Sequence, residues 1–162
     1  MNEISNRTAG SAIKKSFDQG RDIQSKNIII NAINNINNKY SFSTNINGTT
    51  FTFSATATSS GLNGRKFYIV VNTENHSEYL KINKFGRLDY DYNSRIGYAI
   101  TNLRAGERFK LKNLINAIQE LEDGYNNAYT IQVNEAILKK LIRESIRKVL
   151  NESLRKQNST RL

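Results

Sequence analysis

The spacing of apolar residues along this chain changes twice, and each change predicts a change of secondary structure. Near both ends, apolar residues recur every three or four positions, as at Ile13, Phe17 and through residues 23–36, which is the period of an amphipathic helix. Between residues 40 and 100 they mostly alternate with polar residues, as in half-buried strands. The sequence therefore predicts an α+β fold, an antiparallel sheet with helices on either side of it in the chain.

The dipeptide Asn47-Gly48 marks a turn within the predicted sheet. Apolar residues alternate with polar ones over 40–46 and again over 51–55, and Asn-Gly readily adopts the positive φ angles of a type I′ turn. This pattern predicts a β-hairpin. Further strand-like runs lie at 67–71, 79–82, 88–92 and 96–100. We expect from them an antiparallel sheet of five to six strands.

The helical segments predict three parts, namely a helical N-terminal segment at 1–38, a core domain at 39–133 and a C-terminal helix and tail at 134–162. Two helices should meet near Gly20. A helix packed on the sheet should begin near Gly106 and end at Gly124, because glycine accepts the left-handed conformation that stops a helix. A short strand is expected at 128–133, after which Asn134 should cap a long basic amphipathic helix that runs to about residue 155.

The charge of the chain favours polyanionic partners. Lys and Arg number 24 against 14 Asp and Glu, a net charge of +10 at pH 7, and residues 132–162 hold eight basic groups against three acidic ones. Such an excess attracts nucleic acid with marked salt dependence. The alternative is a basic surface that serves only solubility.

The composition excludes several classes of site. The chain has no Cys and one His, which excludes disulfides, thiolate zinc sites and a cysteine nucleophile. It has no apolar run long enough to span a membrane and no secretion signal in residues 1–10, so we expect a cytoplasmic protein without a membrane partner.

The ionisable residues form no recognisable catalytic or metal-binding set. His76 lies between Glu74 and Glu78 in a polar stretch that is typical of a solvated loop, although one His with two carboxylates could bind a divalent cation weakly. The positions of the other acidic residues, named at the end of this paragraph, do not predict a shared cleft. The glycines match no nucleotide-binding motif. We therefore predict no enzyme activity, no cofactor and no metal. The remaining acidic groups considered are Asp89, Asp91, Glu120, Glu122 and Asp123.

Basic and aromatic residues are interleaved along the predicted strands, a combination that can neutralise phosphates and stack unpaired bases. Strand alternation opposes this interpretation, because about half of the aromatic side chains must then face the core. The candidate nucleic-acid-binding residues are Arg65, Lys66, Lys81, Lys84, Arg87, Arg95, Tyr68, Tyr79, Tyr90 and Tyr98.

The predicted C-terminal helix carries an aliphatic stripe, which fits docking on a partner, packing on the same domain, or contact with a membrane surface or nucleic acid. The stripe lacks Trp and Phe, so we favour packing against protein, with the basic side exposed. The candidate partner-binding residues are Leu138, Leu141, Ile142, Ile146, Val149, Leu150 and Leu154.

The segment 131–152 resembles a helical tail found on many small proteins of crAss-like bacteriophages that infect gut Bacteroidota. The resemblance rests on Ile131-Gln-Val-Asn-Glu135, on Leu138 and on Leu141-Ile-Arg-Glu-Ser-Ile-Arg-Lys-Val-Leu-Asn-Glu152, with Asn134 where that tail usually has Thr. It implies a phage origin, in the host cytoplasm and the virion, and does not imply an activity.

The body of the chain resembles the transcriptional-coactivator type of single-stranded DNA-binding domain, in which four strands precede a helix. The resemblance rests on Ser94-Arg95-Ile96-Gly97 leading into a strand and on a helix at 109–121. Our first hypothesis is a non-enzymatic phage structural or virion-associated protein, which assembles with other phage proteins or with itself and presents a basic surface to DNA. The second is a single-stranded nucleic-acid-binding module that acts in phage replication or transcription.

Overall fold

The computed structural model describes the backbone of residues 4–59 and 64–160, and the side chains of these except residues 59, 129–136 and 154–160. Two helices precede a four-stranded antiparallel sheet in the chain and two follow it, which confirms the α+β class. The predicted number of five to six strands is wrong, because the sheet has four strands in the described part of the chain.

Two N-terminal helices, α1 (Asn6–Asp18) and α2 (Asp22–Tyr40), are joined through Gly20, as predicted. Gly20 has a φ of 73°, a conformation that a residue with a Cβ adopts only with strain. The buried hydroxyl of Ser25 in α2 donates to the carbonyl oxygen of Ile13 in α1 at 3.4 Å. Both helices contribute to the hydrophobic core, so the N-terminal segment is part of the same folded body as the sheet.

The sheet is an antiparallel meander of β1 (Phe42–Ile46), β2 (Thr49–Ser59), β3 (Arg65–Asn72) and β4 (Ser77–Leu80). The predicted hairpin at Asn47-Gly48 is confirmed, with φ angles of 53° and 85°.

One face of the sheet, the inner face, is buried beneath the helices. Phe53 occupies its centre, paired with Phe42 of β1 on one side and Val71 of β3 on the other. The rings of Phe42 and Phe53 stack with centroids 4.9 Å apart. Leu114 and Ile118 of the helix that follows are fully buried in the same cluster. Each such side chain contributes about 1.5 to 3 kcal/mol when it is removed from water.

The strand predicted at 88–92 is wrong. The chain reverses at a turn over 83–87, and only Leu88 pairs with Ile82 in an isolated bridge. The backbone then bends again, because the side chain of Asp91 accepts a hydrogen bond from the Asn93 amide at 2.9 Å. Local hydrogen bonding of this kind competes with strand pairing.

The strand predicted at 96–100 is also wrong, because this segment is helix α3 (Arg95–Thr101). Ser94 caps the helix by accepting a hydrogen bond from the Gly97 amide at 3.0 Å. Gly97 lies against the backbone of Asp91, where a Cβ would collide with the carbonyl oxygen. The resemblance to the coactivator-type domain depended on a strand here, so the structure removes that part of it.

Helix α4 (Ala105–Thr160) replaces three predicted features, namely the stop at Gly124, the strand at 128–133 and the cap at Asn134. All three positions are helical. Gly124 serves a different purpose, since a Cβ there would collide with the carbonyl oxygen of Arg7 in α1. The glycine therefore permits close packing of two helices and does not end one.

The chain divides into two compact units, Met1–Asn126 and Asn127–Leu162. The first contains the sheet, α1 to α3 and the first part of α4. The second contains the remainder of α4.

Candidate interaction surfaces

The sheet face opposite the core, here called the outer face, contributes nothing to the hydrophobic cluster of the described residues. Its described side chains are mainly hydroxyls and amides, and Lys66 is the one charged group among them. The outer face consists of Ser43, Asn45, Thr50, Thr52, Ser54, Thr56, Thr58, Lys66, Tyr68, Val70, Asn72, Ser77 and Tyr79.

Three of the ten candidate nucleic-acid-binding residues lie on the outer face, namely Lys66, Tyr68 and Tyr79. The two tyrosine rings meet edge to face, with centroids 5.9 Å apart, and Tyr79 is 56% exposed. No carboxylate occurs on this face among the described residues. An aromatic pair with one exposed ring, on the same face as one cation, can stack a base and contact a phosphate.

Arg65 lies elsewhere, although it is the neighbour of Lys66. Its guanidinium carbon is 5.3 Å from the ring centroid of Phe17 in α1, and its Nε is buried without a hydrogen-bond partner among the described residues. Its backbone amide donates to the Tyr125 hydroxyl of α4 at 3.0 Å. Arg65 therefore joins β3 to the helices and is not displayed for a ligand.

A second group of candidates, Lys84 and Arg87, lies in the turn over 83–87. The side-chain oxygen of Asn83 accepts from the amides of Phe85 at 2.9 Å and Arg87 at 3.1 Å, which holds the turn in one shape. Phe85 is 76% exposed at its tip, with the Lys84 ammonium 5.2 Å from its ring centroid. Phe85 is not among the ten candidate residues, although the sequence places it between the candidates Lys84 and Arg87.

Lys81 interacts electrostatically with the carboxylate of Glu122 in α4. Burial raises the pKa of Glu122 above its ordinary value, the positive charge of Lys81 opposes that shift, and the neighbouring Asp123 adds to it. The charge of Lys81 therefore acts in part on a carboxylate of the protein itself. It is a weaker candidate for phosphate binding than Lys66.

The other candidates are distributed around α3. Tyr98 is half exposed, and its hydroxyl accepts a hydrogen bond from the Asn47 side chain of the hairpin turn at 3.2 Å. Tyr90 contacts Tyr92 with ring centroids 4.9 Å apart, and burial raises the pKa of Tyr90. Arg95 begins α3. The ten predicted residues therefore do not form one continuous surface.

The second unit carries an aliphatic surface on α4, here called the docking face. Every side chain in it is at least half exposed, and Val149 reaches 64%. Ile137 belongs to this face although it was not among the predicted residues, and the side chain of Leu154 lies outside the described residues. The docking face consists of Ile137, Leu138, Leu141, Ile142, Ile146, Val149 and Leu150.

Of the ionisable groups considered for catalysis, Glu122 and Asp123 are partly buried, and the others are exposed, namely His76, Asp89, Asp91 and Glu120. His76 is exposed, with its Nε2 3.9 Å from the Glu78 carboxylate. Asp89 accepts from the Asn83 side chain at 3.1 Å. Within residues 4–59 and 64–160, as far as side chains are described, no group of three or more His, Asp and Glu is positioned to hold a metal ion.

In the part of the chain that the structure describes, no helix is both long and apolar enough to cross a membrane. Comparison of the chain with known proteins found no matching family model, no matching curated protein and no matching solved structure. The surfaces described above are therefore the basis on which a function can be proposed.

Proposed function

We propose that this chain is a non-enzymatic phage protein that assembles with other subunits through the docking face and presents basic surface to DNA. The observation that carries the proposal is the row of seven large aliphatic side chains, each at least half exposed, along α4 between Ile137 and Leu150. A contiguous exposed apolar surface of this kind is typical of a protein–protein contact.

The energetics favour occupation of the docking face. Full burial of a Leu, Ile or Val side chain contributes about 1.5 to 3 kcal/mol, and several such side chains lie on this one helix. Helices bind partners in this way when anchors spaced three and four residues apart enter an apolar groove.

Two further parts of the proposal have other grounds. The phage origin is supported by the resemblance of residues 131–152 to a helical tail of phage proteins, and the contact with DNA is supported by the net charge of +10.

The proposal is tested by comparing Ile146→Asp with Lys148→Gln in the full-length chain. Both positions are exposed on α4 and both variants lower the net charge by one, but only Ile146 belongs to the docking face. We expect Ile146→Asp to lower the number of copies in purified phage particles, measured by quantitative mass spectrometry, and Lys148→Gln to leave it unchanged. Equal copy numbers in both variants would contradict the proposal.

A second candidate function, binding of single-stranded nucleic acid, is favoured by the arrangement of Lys66, Tyr68 and Tyr79 on the outer face. Two aromatic rings and a cation, without a described carboxylate on the same face, match the way in which sheet surfaces hold unpaired bases. Among the described residues this face has one cation, so the site would bind weakly by itself and would depend on basic residues outside the face.

A further inference from the structure

We infer that the docking face binds an acidic helix of a partner protein, which crosses α4 obliquely and places its carboxylates along one side of the contact. This inference rests on the proposed function and adds the chemistry and orientation of the partner. It starts from a feature of α4 that the amphipathic pattern alone does not reveal, namely that its surface chemistry repeats every four residues.

The four-residue repeat separates α4 into rows. Leu138, Ile142, Ile146 and Leu150 form one wholly aliphatic row, here called the ridge. The next row along the helix surface, the basic row, contains three cations and no acid over the same turns. These cations are Lys139, Arg143 and Arg147.

The remaining polar row alternates in sign and is here called the mixed row. Its members are Lys140, Glu144, Lys148 and Glu152. Each charge in the mixed row has an opposite charge four residues away. In the basic row, Glu135 precedes Lys139 by four residues and Glu144 precedes Arg147 by three, whereas Arg143 has no acidic residue three or four positions away. Among the described residues, none of the three basic-row cations forms an ion pair. The unbalanced charge therefore lies directly beside the ridge, on one side only.

The ridge does not run parallel to the helix axis. Residues four apart advance about 40° around an α-helix, so the ridge turns by roughly 120° between Leu138 and Leu150. A left-handed coiled coil needs a repeat of about 3.5 residues and does not fit this pattern. Ridges of residues four apart instead interdigitate when two helices cross at about −50°. The geometry thus favours one crossing helix over a long parallel pair.

Charge complementarity selects the partner among the surfaces that could cover the ridge. A second copy of this chain would bring the same excess of positive charge to the contact. A flat anionic membrane cannot meet a ridge that winds around the helix, and a nucleic-acid backbone offers no apolar surface to bury it. A helix that carries an aliphatic ridge and an acidic row satisfies both requirements.

Two synthetic helical peptides test the inference with the full-length chain. They share one leucine ridge at four-residue spacing and differ only in the neighbouring row, which is Glu in one peptide and Lys in the other. We expect the acidic peptide to bind at least ~10-fold more tightly in fluorescence anisotropy, with an advantage that decreases as salt is added.

Two charge-matched variants locate the contact. Arg143→Glu with Arg147→Glu reverses charge in the basic row, and Lys140→Glu with Lys148→Glu makes the same change in net charge in the mixed row. We expect the first variant to lose the preference for the acidic peptide and the second to retain it. Equal loss in both variants would overturn the inference, because net charge alone would then explain the binding.

Other occupants give distinct results. A dimer in sedimentation velocity that Ile142→Asp dissociates would overturn the inference in favour of a second copy. Binding to phosphatidylserine vesicles without discrimination between the peptides would overturn it in favour of a membrane surface. If Ile146→Asp depletes the chain from particles while neither peptide binds, the inference fails and the proposed function stands. If Ile146→Asp leaves particles unchanged, the proposed function fails.

Discussion

The side-chain amide of Asn37 in α2 takes the place of a strand partner for the backbone of Ala55 in β2. Its Nδ2 donates to the Ala55 carbonyl oxygen at 3.0 Å, and its Oδ1 accepts from the Ala55 amide at 2.6 Å. Strand β1 pairs with β2 only as far as Phe53, so these groups would otherwise lie unpaired at the sheet edge. Asn37 thereby fixes the helix to the sheet.

Replacing Asn37 should therefore destabilise the fold. We expect Asn37→Ala to lower the free energy of unfolding by about 2 to 3 kcal/mol, because two partly buried backbone groups lose their partners. The control is Asn38→Ala, at an exposed neighbouring position, which should change stability by less than about 0.5 kcal/mol. Urea denaturation of the full chain measures both. Equal effects would show that the Asn37 hydrogen bonds contribute little.

The crossing of α1 and α4 depends on two glycines. A Cβ at Gly10 would collide with the Leu121 carbonyl oxygen, and a Cβ at Gly124 would collide with that of Arg7. We expect Gly10→Ala and Gly124→Ala each to cost about 1 to 3 kcal/mol or more through overpacking. Gly106 in α4 has no atom within 4 Å of such a Cβ, so Gly106→Ala should stabilise the chain by up to about 1 kcal/mol. Thermal unfolding of the three variants distinguishes a packing requirement from a general intolerance of substitution.

The pH dependence of stability should contain a contribution from Glu122. Burial raises its pKa in the folded state, so the folded chain favours the protonated form and stability falls as the pH rises through that pKa. We expect Glu122→Gln to be more stable than the native chain at neutral pH and to lose this advantage in acid, below the ordinary pKa of a glutamate. Glu120→Gln, at an exposed position, controls for the loss of one negative charge. A constant difference at all pH values would contradict this assignment.

Binding of single-stranded DNA distinguishes the second candidate function from the first. We expect Tyr79→Ala to lower affinity by about 1 to 3 kcal/mol if a base stacks on that ring. Lys66→Ala should weaken binding and reduce the slope of log K against log salt by about 0.7. Tyr92 is exposed but lies outside the outer face, so Tyr92→Ala should have no effect. If all three variants bind as the native chain does, the outer face is not a nucleic-acid site.

The parts of the fold that could be predicted from sequence are those fixed by local chemistry. Asn47 and Gly48 specify their own turn, and the spacing around Gly20 specifies two helices whatever surrounds them. Residues 96–100 were misassigned because branched and aromatic residues favour strands, whereas the cap from Ser94 and the approach of Gly97 to Asp91 make this segment helical. Gly124 carried the signal of a helix end, but the reason for it lies in α1, more than a hundred residues away.

The two candidate sites also differ in how far local sequence patterns predict them. The docking face could be predicted because helical periodicity alone places its residues together, and the described residues of that stripe are all exposed. The sequence could not show which of the ten candidate nucleic-acid-binding residues share a surface, because their positions depend on which face of the sheet each side chain occupies and on where β4 ends. Tertiary packing places Lys66 and Arg65, adjacent in the chain, in different surroundings.

Site-specific photocrosslinking tests the docking face most directly. A photoreactive amino acid replaces Ile142 on the ridge in one variant and Glu144 in the mixed row in another, and crosslinks are formed in assembled phage particles. We predict that the probe at position 142 joins the chain to one partner protein at a site rich in Asp and Glu, whereas the probe at position 144 does not. Equal crosslinking from both positions, or none from position 142, would contradict the proposal that this face of α4 holds a partner.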